Sequence, residues 1–361
     1  VGHTCGANNC YSGWYCELAQ HRCVAPPASC TGAGGGGGTG GGVSGTGGGV
    51  SGTGGGVSGT GGGVSGTGGG VSGTGGGVSG TGGGVSGTGG GSGIGPTGGR
   101  VSLLHFGTTG DTRPPACEDT PNYPTPIINA IADRMTARGA QFVVDLGDHM
   151  YVCNDSLPIS TQQMGLYMTA VHRFPGTWFM TMGNHECYHG PCLLGSQNAN
   201  YVAFMSALSP IANKPYYAFN IDTSLGRATF VVIADNAWDS VQAAWLDATL
   251  HDADLNAKYT IVIRHHPEGD TSVTTNSESM QIVRAHKFAL FLTGHSHLYK
   301  HMTTDNGRDL VLGTGGAQLI AGGSFYGYAM VDQLTDGRLQ VSVFNLSGDL
   351  QQDIWTVGPN P

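Results

Sequence analysis

An apolar run that stops abruptly at Gly-Asp is one way to deliver a carboxylate to the end of a buried strand, and Val143 to Tyr151, VVDLGDHMY, is such a run. Four further runs stop in the same manner. Leu103 to Phe106 leads to Gly110-Asp111, and Trp178 to Met182 leads to Gly183-Asn184-His185-Glu186. Thr260 to Ile263 leads to His265-His266-Pro267, and Leu290 to Thr293 leads to Gly294-His295-Ser296-His297. Open α/β sheets keep their sites at the carboxyl ends of strands. Carboxylate, amide and imidazole donors gathered there suit two adjacent hard or borderline cations, which can acidify a bound water and stabilise charge on attacking and leaving oxygens.

The elements that must hold these donors follow from the alternation around them. Helix-like segments at Pro126 to Arg138, Ser160 to Arg173, Tyr201 to Leu208, Ser240 to Leu250 and Ser277 to Phe288 separate the strand-like runs. Closely spaced strands follow at Leu310 to Leu312, Tyr328 to Val331 and Leu339 to Asn345. This pattern predicts a layered α/β domain over 100–361, with sheets packed together between helices.

Residues 1–99 have a different composition. Cys5, Cys10, Cys16, Cys23 and Cys30 crowd the first thirty residues, too short a segment to fold without bridges. From Thr39 to Gly87 the heptad TGGGVSG recurs seven times without change, and an eighth copy lacks its Val. Seven residues is an odd step on a strand and leaves a remainder in a three-residue helix, so neither gives a one-sided apolar stripe. With so little to bury, residues 31–99 are expected to act as a flexible linker spanning about 40–50 Å.

Arg22 and Arg100 against Glu17 give residues 1–100 a net charge of +1, so the total of -9 leaves -10 on 101–361. That acidity argues against nucleic acid or an anionic membrane as the main partner. No run approaches the roughly 18–20 apolar residues of a membrane-spanning helix. Nine Cys without CxxC-type spacing, in a chain that starts at Val1, point to an exported protein whose leader is gone.

Taken together, the five blocks resemble the calcineurin-like metallophosphoesterase superfamily, and within it the purple acid phosphatases. The blocks are GDTR at Gly110, GDHMY at Gly147, GNHE at Gly183, HHP at His265 and GHSH at Gly294, with QAAWLDATL (242–250) and Gly313-Thr314-Gly315-Gly316 in support. Asp111-Thr112-Arg113 departs from the Asp-x-His of the wider superfamily, and Tyr151, three residues after Asp148, matches the GDxxY that purple acid phosphatases carry instead. The resemblance implies a metallophosphoesterase-type β-sandwich flanked by helices. It also implies a ferric ion on Asp111, Asp148, Tyr151 and His297, with Asp148 shared, and a divalent zinc, iron or manganese ion on Asn184, His265 and His295. Tyrosinate suits a trivalent ion, and the set together with a bridging hydroxide leaves one net positive charge to attract phosphate.

The implied activity is hydrolysis of phosphomonoesters by metal-bound hydroxide. His185 is the candidate for holding phosphate and protonating the leaving group, and Arg113 is a candidate phosphate clamp. His266, the x of an H-x-P pattern, is expected to stand behind the ligands. Cys117, Cys153, Cys187 and Cys192 each follow a ligand block; pairing 117 with 153 and 187 with 192 is one of three possibilities. A phosphodiesterase or nucleotidase on the same site is a rival reading. So is a Gly-repeat fibre or surface protein that displays the domain, anchored or self-assembled through residues 1–99.

Overall fold

A computed structural model describes residues 94–361, apart from 189–191, 271–275, 303–306 and 321–324, and within 1–93 only strand positions. The chain divides into two compact units, Val1–Gly90 and Gly91–Pro361. In the first, Tyr15–Glu17 and Arg22–Val24 pair antiparallel. The bridges of the Cys-rich head lie outside the described residues. The heptads, whose low apolar content favours an unpaired linker, carry one short strand each, from Gly36–Gly40 to Val85–Thr88. Strands two heptads apart pair parallel with like opposite like, Val50 facing Val64 and Thr53 facing Thr67, in two four-stranded sheets. One heptad is an odd step, but two make an even one, which returns each residue type to the same side of the pleat.

The second unit starts before the composition change at Arg100, because β1 (Ile94–Gly95) and β2 (Gly98–Arg100) already belong to its larger sheet. There follow β3 (His105–Thr109), α1 (Thr125–Ala137), β4 (Phe142–Asp145), α2 (Leu157–Val171), β5 (Thr177–Phe179), α3 (Ala199–Leu208), β6 (Tyr217–Thr223) and β7 (Gly226–Val232). Then come α4 (Ser240–Asn256), β8 (Tyr259–Ile263), α5 (Asn276–Arg284), β9 (Leu290–Thr293), β10 (Tyr299–Met302) and β11 (Asp309–Leu312). The unit closes with β12 (Gly327–Gln333), β13 (Leu339–Asn345) and β14 (Leu350–Val357). One sheet has the order β5-β4-β3-β12-β13-β14, the other β1-β2-β6-β7-β8-β9-β11-β10. β3, β4 and β5 run parallel, as do β7, β8, β9 and β11, so five ligand-bearing loops leave strand ends of the same sense.

The layers follow from period two along the strands. Phe142 and Val144 join the core between the sheets, whereas Val143 joins the core under α1 to α3. Ile261 and Ile263 likewise face the opposite sheet, and Val262 packs under α4 and α5. Between the sheets Phe106, Phe142, Phe179, Phe219 and Phe230 stack and meet edge-on at 3.7–6.2 Å between centroids. Each such buried ring stabilises the fold by roughly 2–3 kcal/mol. The helices obey the 3.6 period: α1 starts with Pro126 in its first turn and buries Ile128, Ile131, Ala132 and Met135. It stops at Gly139, whose φ of +79° suits the left-handed residue after a helix. The result is helices, sheet, sheet, helices, with the sheet edges that carry the Gly-Asp, Gly-Asn and Gly-His turns meeting at one end.

Candidate metal centre

Each donor is placed by a sharp turn off a buried strand. Asp111 follows β3, Asp148 follows β4, Asn184 and His185 follow β5, His265 follows β8, and His295 and His297 follow β9. Asp111, Asp148, His295 and His297 have φ of +60°, +62°, +68° and +49°. Non-glycine residues seldom adopt this left-handed backbone, and strain of that kind concentrates where function holds it in place. The glycine before a donor is needed for closeness. A Cβ on Gly183 would lie 2.3 Å from Asp148 Oδ1, and one on Gly294 would lie 2.5 Å from Asp111 Oδ2.

Backbone and side chains then knit the loops together. Asp111 N–H donates to the Gly147 carbonyl at 2.9 Å and Thr112 N–H to the Asp148 carbonyl at 2.8 Å. Asp111 Oδ2 accepts from the His295 N–H at 2.8 Å, and Asp148 Oδ1 accepts from the His185 N–H at 3.0 Å. Glu186, fully buried, accepts from the N–H groups of Asp148, His149 and Gly183 at 3.0, 2.7 and 2.7 Å, so it fastens the GDHMY and GNHE loops to each other. The disulfides Cys117–Cys153 and Cys187–Cys192 brace the loops that follow Asp111, Asp148 and His185.

The tautomers of the three ligand-candidate imidazoles are set by their outer partners, because a carbonyl or carboxylate can only accept. His265 Nδ1 donates to the Leu146 carbonyl at 2.6 Å, His295 Nε2 to Asp270 Oδ2 at 2.9 Å, and His297 Nδ1 to the Gln318 carbonyl at 2.8 Å. Their remaining nitrogens face inward. His265 Nε2 and His295 Nδ1 stand 3.3 Å apart, and both lie within 3.1 Å of Asn184 Oδ1. Asp148 Oδ1 is 3.3 Å from His265 Nε2. Electron pairs facing one another at such distances repel unless a cation stands between them.

A proton can play that part. Burial works against a charge on His265, but Asp148 and Asp111 outweigh it and hold the imidazole well above its ordinary value. Burial, reinforced by the neighbouring imidazoles of His265 and His266, pushes His295 down to about 4 and keeps its inner nitrogen a lone pair. Asp148 is likewise opposed by burial but held well below the usual carboxylate range by His265, His185 and Arg113. This donor set fits a divalent ion with imidazole preference.

The other half of the centre is arranged differently. Asp111 Oδ1 is buried without a hydrogen-bond partner and lies 3.4 Å from His297 Nε2. One donor atom each of Asp111, Asp148 and His265 falls within 4.8 Å of the others. Here the positive charge comes from Arg113, whose Nε is 3.5 Å from Asp148 Oδ2 and whose Nη2 donates to His297 Nε2 at 3.2 Å. The Tyr151 ring lies 4.4 Å beneath the guanidinium and meets the His185 ring edge-on at 4.3 Å. Tyr151 is thus brought to the site by its ring, while Asp111, Asp148, Asn184, His265, His295 and His297 are brought together by their donor atoms. His185 is buried, its Nε2 3.7 Å from Asp148 Oδ2 and its Nδ1 without a hydrogen-bond partner; burial lowers its affinity for a proton.

Two further residues bear on the centre. Asp235, after β7, accepts from His266 Nδ1 at 2.9 Å, and Asp270 supports His295. The signal for Asp235 was present in the sequence: Val231 to Ala234 is an apolar run ending in Asp-Asn, the same signature as the five blocks.

Comparison with known proteins places this geometry. The profile of the calcineurin-like phosphoesterase family matches residues 105–299. Purple acid phosphatase 4 of Arabidopsis thaliana is 25% identical over 201 residues, 48% of this chain and 58% of that protein's length. Among solved structures, a dimetal phosphatase from Danio rerio superposes with a TM-score of 0.50 at 15% identity, over 72% of this chain and 99% of that one. GAP50, the anchor in the inner membrane complex of Plasmodium, gives a TM-score of 0.55 at 12% identity, over 72% and 90%. Both structural likenesses speak to the fold.

Proposed function

The chain belongs to the calcineurin-like phosphoesterase family, and its resemblance within that family is to the purple acid phosphatases; on that footing we propose that it is an exported phosphatase that hydrolyses phosphomonoesters at a pair of metal ions. The observation that carries this reading is the convergence of ligand-type atoms of Asp148, Asn184, His265 and His295, with the partnerless Asp111 Oδ1 beside them. Asn184, His265 and His295, with Asp148 shared, would hold a divalent zinc, iron or manganese ion, and Asp111, Asp148, Tyr151 and His297 a ferric ion. Such ions supply Lewis acidity toward phosphate oxygens and acidify water.

The chain's own residues do the rest. His185 stands over Asp148 with a free buried nitrogen, placed to hold a phosphate oxygen. A bound dianion raises its low proton affinity, so it gains the proton it then passes to the leaving oxygen. Arg113 is a permanent cation. Arg113 faces the same atoms of Asp148 and His297 that would hold a ferric ion, so with those atoms otherwise engaged its guanidinium would be available to hold a phosphate oxygen. The two disulfides support export, and among the described residues no helix is long and apolar enough to cross a membrane.

The test is turnover of phosphomonoesters and phosphodiesters by the full chain, with metal content and the visible spectrum taken on the same sample. Faster monoester turnover and a purple tyrosinate-to-iron colour are expected. A diester preference would establish a phosphodiesterase or nucleotidase, and a colourless, active protein would remove Tyr151 from the ligands. The in-register strands of 36–88 favour a second role for the repeat, end-to-end self-assembly or surface anchoring. A chain that stays monomeric at all concentrations and is not retained on the cell surface would discard it.

A further inference from the structure

His266 is the residue this reading leaves without a task, and its surroundings are specific. Its side chain is 1% exposed, and its Nδ1 donates to Asp235 Oδ2 at 2.9 Å. Burial opposes the charge of Asp235, but His266 and Arg264, whose Nε lies 3.6 Å from the same oxygen, more than offset it and hold the carboxyl below its usual range. With Nδ1–H committed to a carboxylate, Nε2 carries the lone pair, and Nε2 is buried with no hydrogen-bond partner. The His266 ring lies 4.3 Å from that of His295 and 5.0 Å from that of His265. One nitrogen each of His265, His266 and His295 falls within 4.8 Å of the other two.

A buried imidazole whose outer nitrogen is fixed by a carboxylate and whose inner nitrogen has no partner is the arrangement that metal-ligating histidines adopt. Other uses of His266 explain less. A histidine kept for packing alone has no need of a buried carboxylate behind it, and leaving Nε2 buried and unpaired costs free energy. We infer that His266 is itself a ligand of the divalent ion, presented through Nε2 by Asp235, so that this position offers three imidazoles where the family pattern implies two. A three-imidazole face favours zinc over manganese or magnesium, which prefer oxygen donors. This inference rests on the two-ion reading.

Zinc-edge X-ray absorption on the full-length zinc-loaded protein counts the imidazoles directly. Three are expected; two would overturn the inference while leaving the two-ion reading intact, and a protein that takes up no divalent ion would overturn both. Zinc affinity, measured by competition with a chromophoric chelator, is the second measurement. His266→Gln is expected to weaken zinc by roughly a hundredfold or more and Asp235→Asn by about ten- to a hundredfold, with the ferric absorption band unchanged. Zinc binding by a folded His266→Gln protein within about threefold of the parent would also overturn the inference. If that variant fails to fold, the imidazole count on the parent protein decides alone.

Discussion

Strand β3 has a histidine–aspartate cluster at each end, and the two are built on opposite plans. At its start His105 Nδ1 pairs with Asp332 and its Nε2 donates to the Arg138 carbonyl at 2.7 Å. Arg138 in turn donates to the Tyr328 hydroxyl and to Asp349, each at 2.8 Å, so every member has a protein partner. Beyond its end, Asp111, Asp148, His265, His295 and His297 turn acceptors toward acceptors. The first cluster is complete as protein. In the second, a proton on His265 and the Arg113 guanidinium stand among the acceptors, and four residues, Asp111, Asp148, His295 and His297, take left-handed backbone against Asp349 alone in the first. Satisfied polar networks rigidify a fold, whereas unsatisfied ones of this kind mark where a ligand belongs.

Substitutions at the two ends should therefore fail in different ways. The largest effect is expected for Asp148→Asn, which on the two-ion reading removes the carboxylate shared by both positions: phosphatase turnover should drop by roughly a thousandfold or more with loss of bound metal. Retention of two ions per chain by atomic absorption would place the shared ligand elsewhere. Glu186→Gln comes next. Amide for carboxylate weakens three buried N–H acceptances at once, and a destabilisation of about 2–3 kcal/mol in urea unfolding is expected, with turnover reduced alongside. Unchanged stability would mean that the GDHMY and GNHE loops are fastened by other contacts.

Arg113→Met should act on binding. A rise of about tenfold in KM, a smaller change in kcat and tighter iron uptake are expected, since the competing guanidinium is gone; equal or weaker iron affinity would show that Arg113 and the ion do not compete. The smallest effect belongs to the far end. His105→Gln should leave kcat and metal content alone and change only the pH dependence of stability. The Asp332 hydrogen bond, opposed by burial and helped by the Arg138 carbonyl, raises the His105 pKa in the folded state. Its stabilisation is therefore complete below the unfolded-state value near 6.5 and is lost as pH rises through the folded value. The parent's advantage over the variant should shrink as pH rises above about 6.5; an advantage that grows with pH would reverse the assignment.

Much of this was legible because chemistry and turn coincide. Each ligand block stands where an apolar strand breaks at glycine, and glycine is required there because a neighbouring carboxylate oxygen comes within 2.5 Å of where a Cβ would be, as at Gly183 and Gly294. The helices were legible through their apolar period: Pro126 to Arg138 in the sequence and Thr125–Ala137 in the structure differ by one residue at each end. β6 and β14 were not, since Asn220 and the first residues of Leu350–Val357 are exposed and the runs lack a continuous apolar signal. β1 and β2 were hidden by their glycines. Asp235 shows the signature but lies 31 residues from His266, and only the pairing of β7 with β8 brings the two strand ends side by side. Of the three ways to pair the four cysteines, adjacency of β3 and β4 selects Cys117 with Cys153, because the Glu118 N–H reaches the Tyr151 carbonyl at 2.8 Å.

On the two-ion reading those bridges would also set an order of maturation. Closing loops across 36 and 5 residues removes about 4 and 2 kcal/mol of chain entropy from the unfolded ensemble on the loop-closure model. Before closure the same four sulfurs are soft ligands beside a nest of imidazoles, and thiolates outbid carboxylates for zinc. A chain metallated while still reduced would trap ions on cysteine, so on that reading oxidation would come first. The compartment that forms the disulfides would then also be the one that decides whether the centre is loaded correctly.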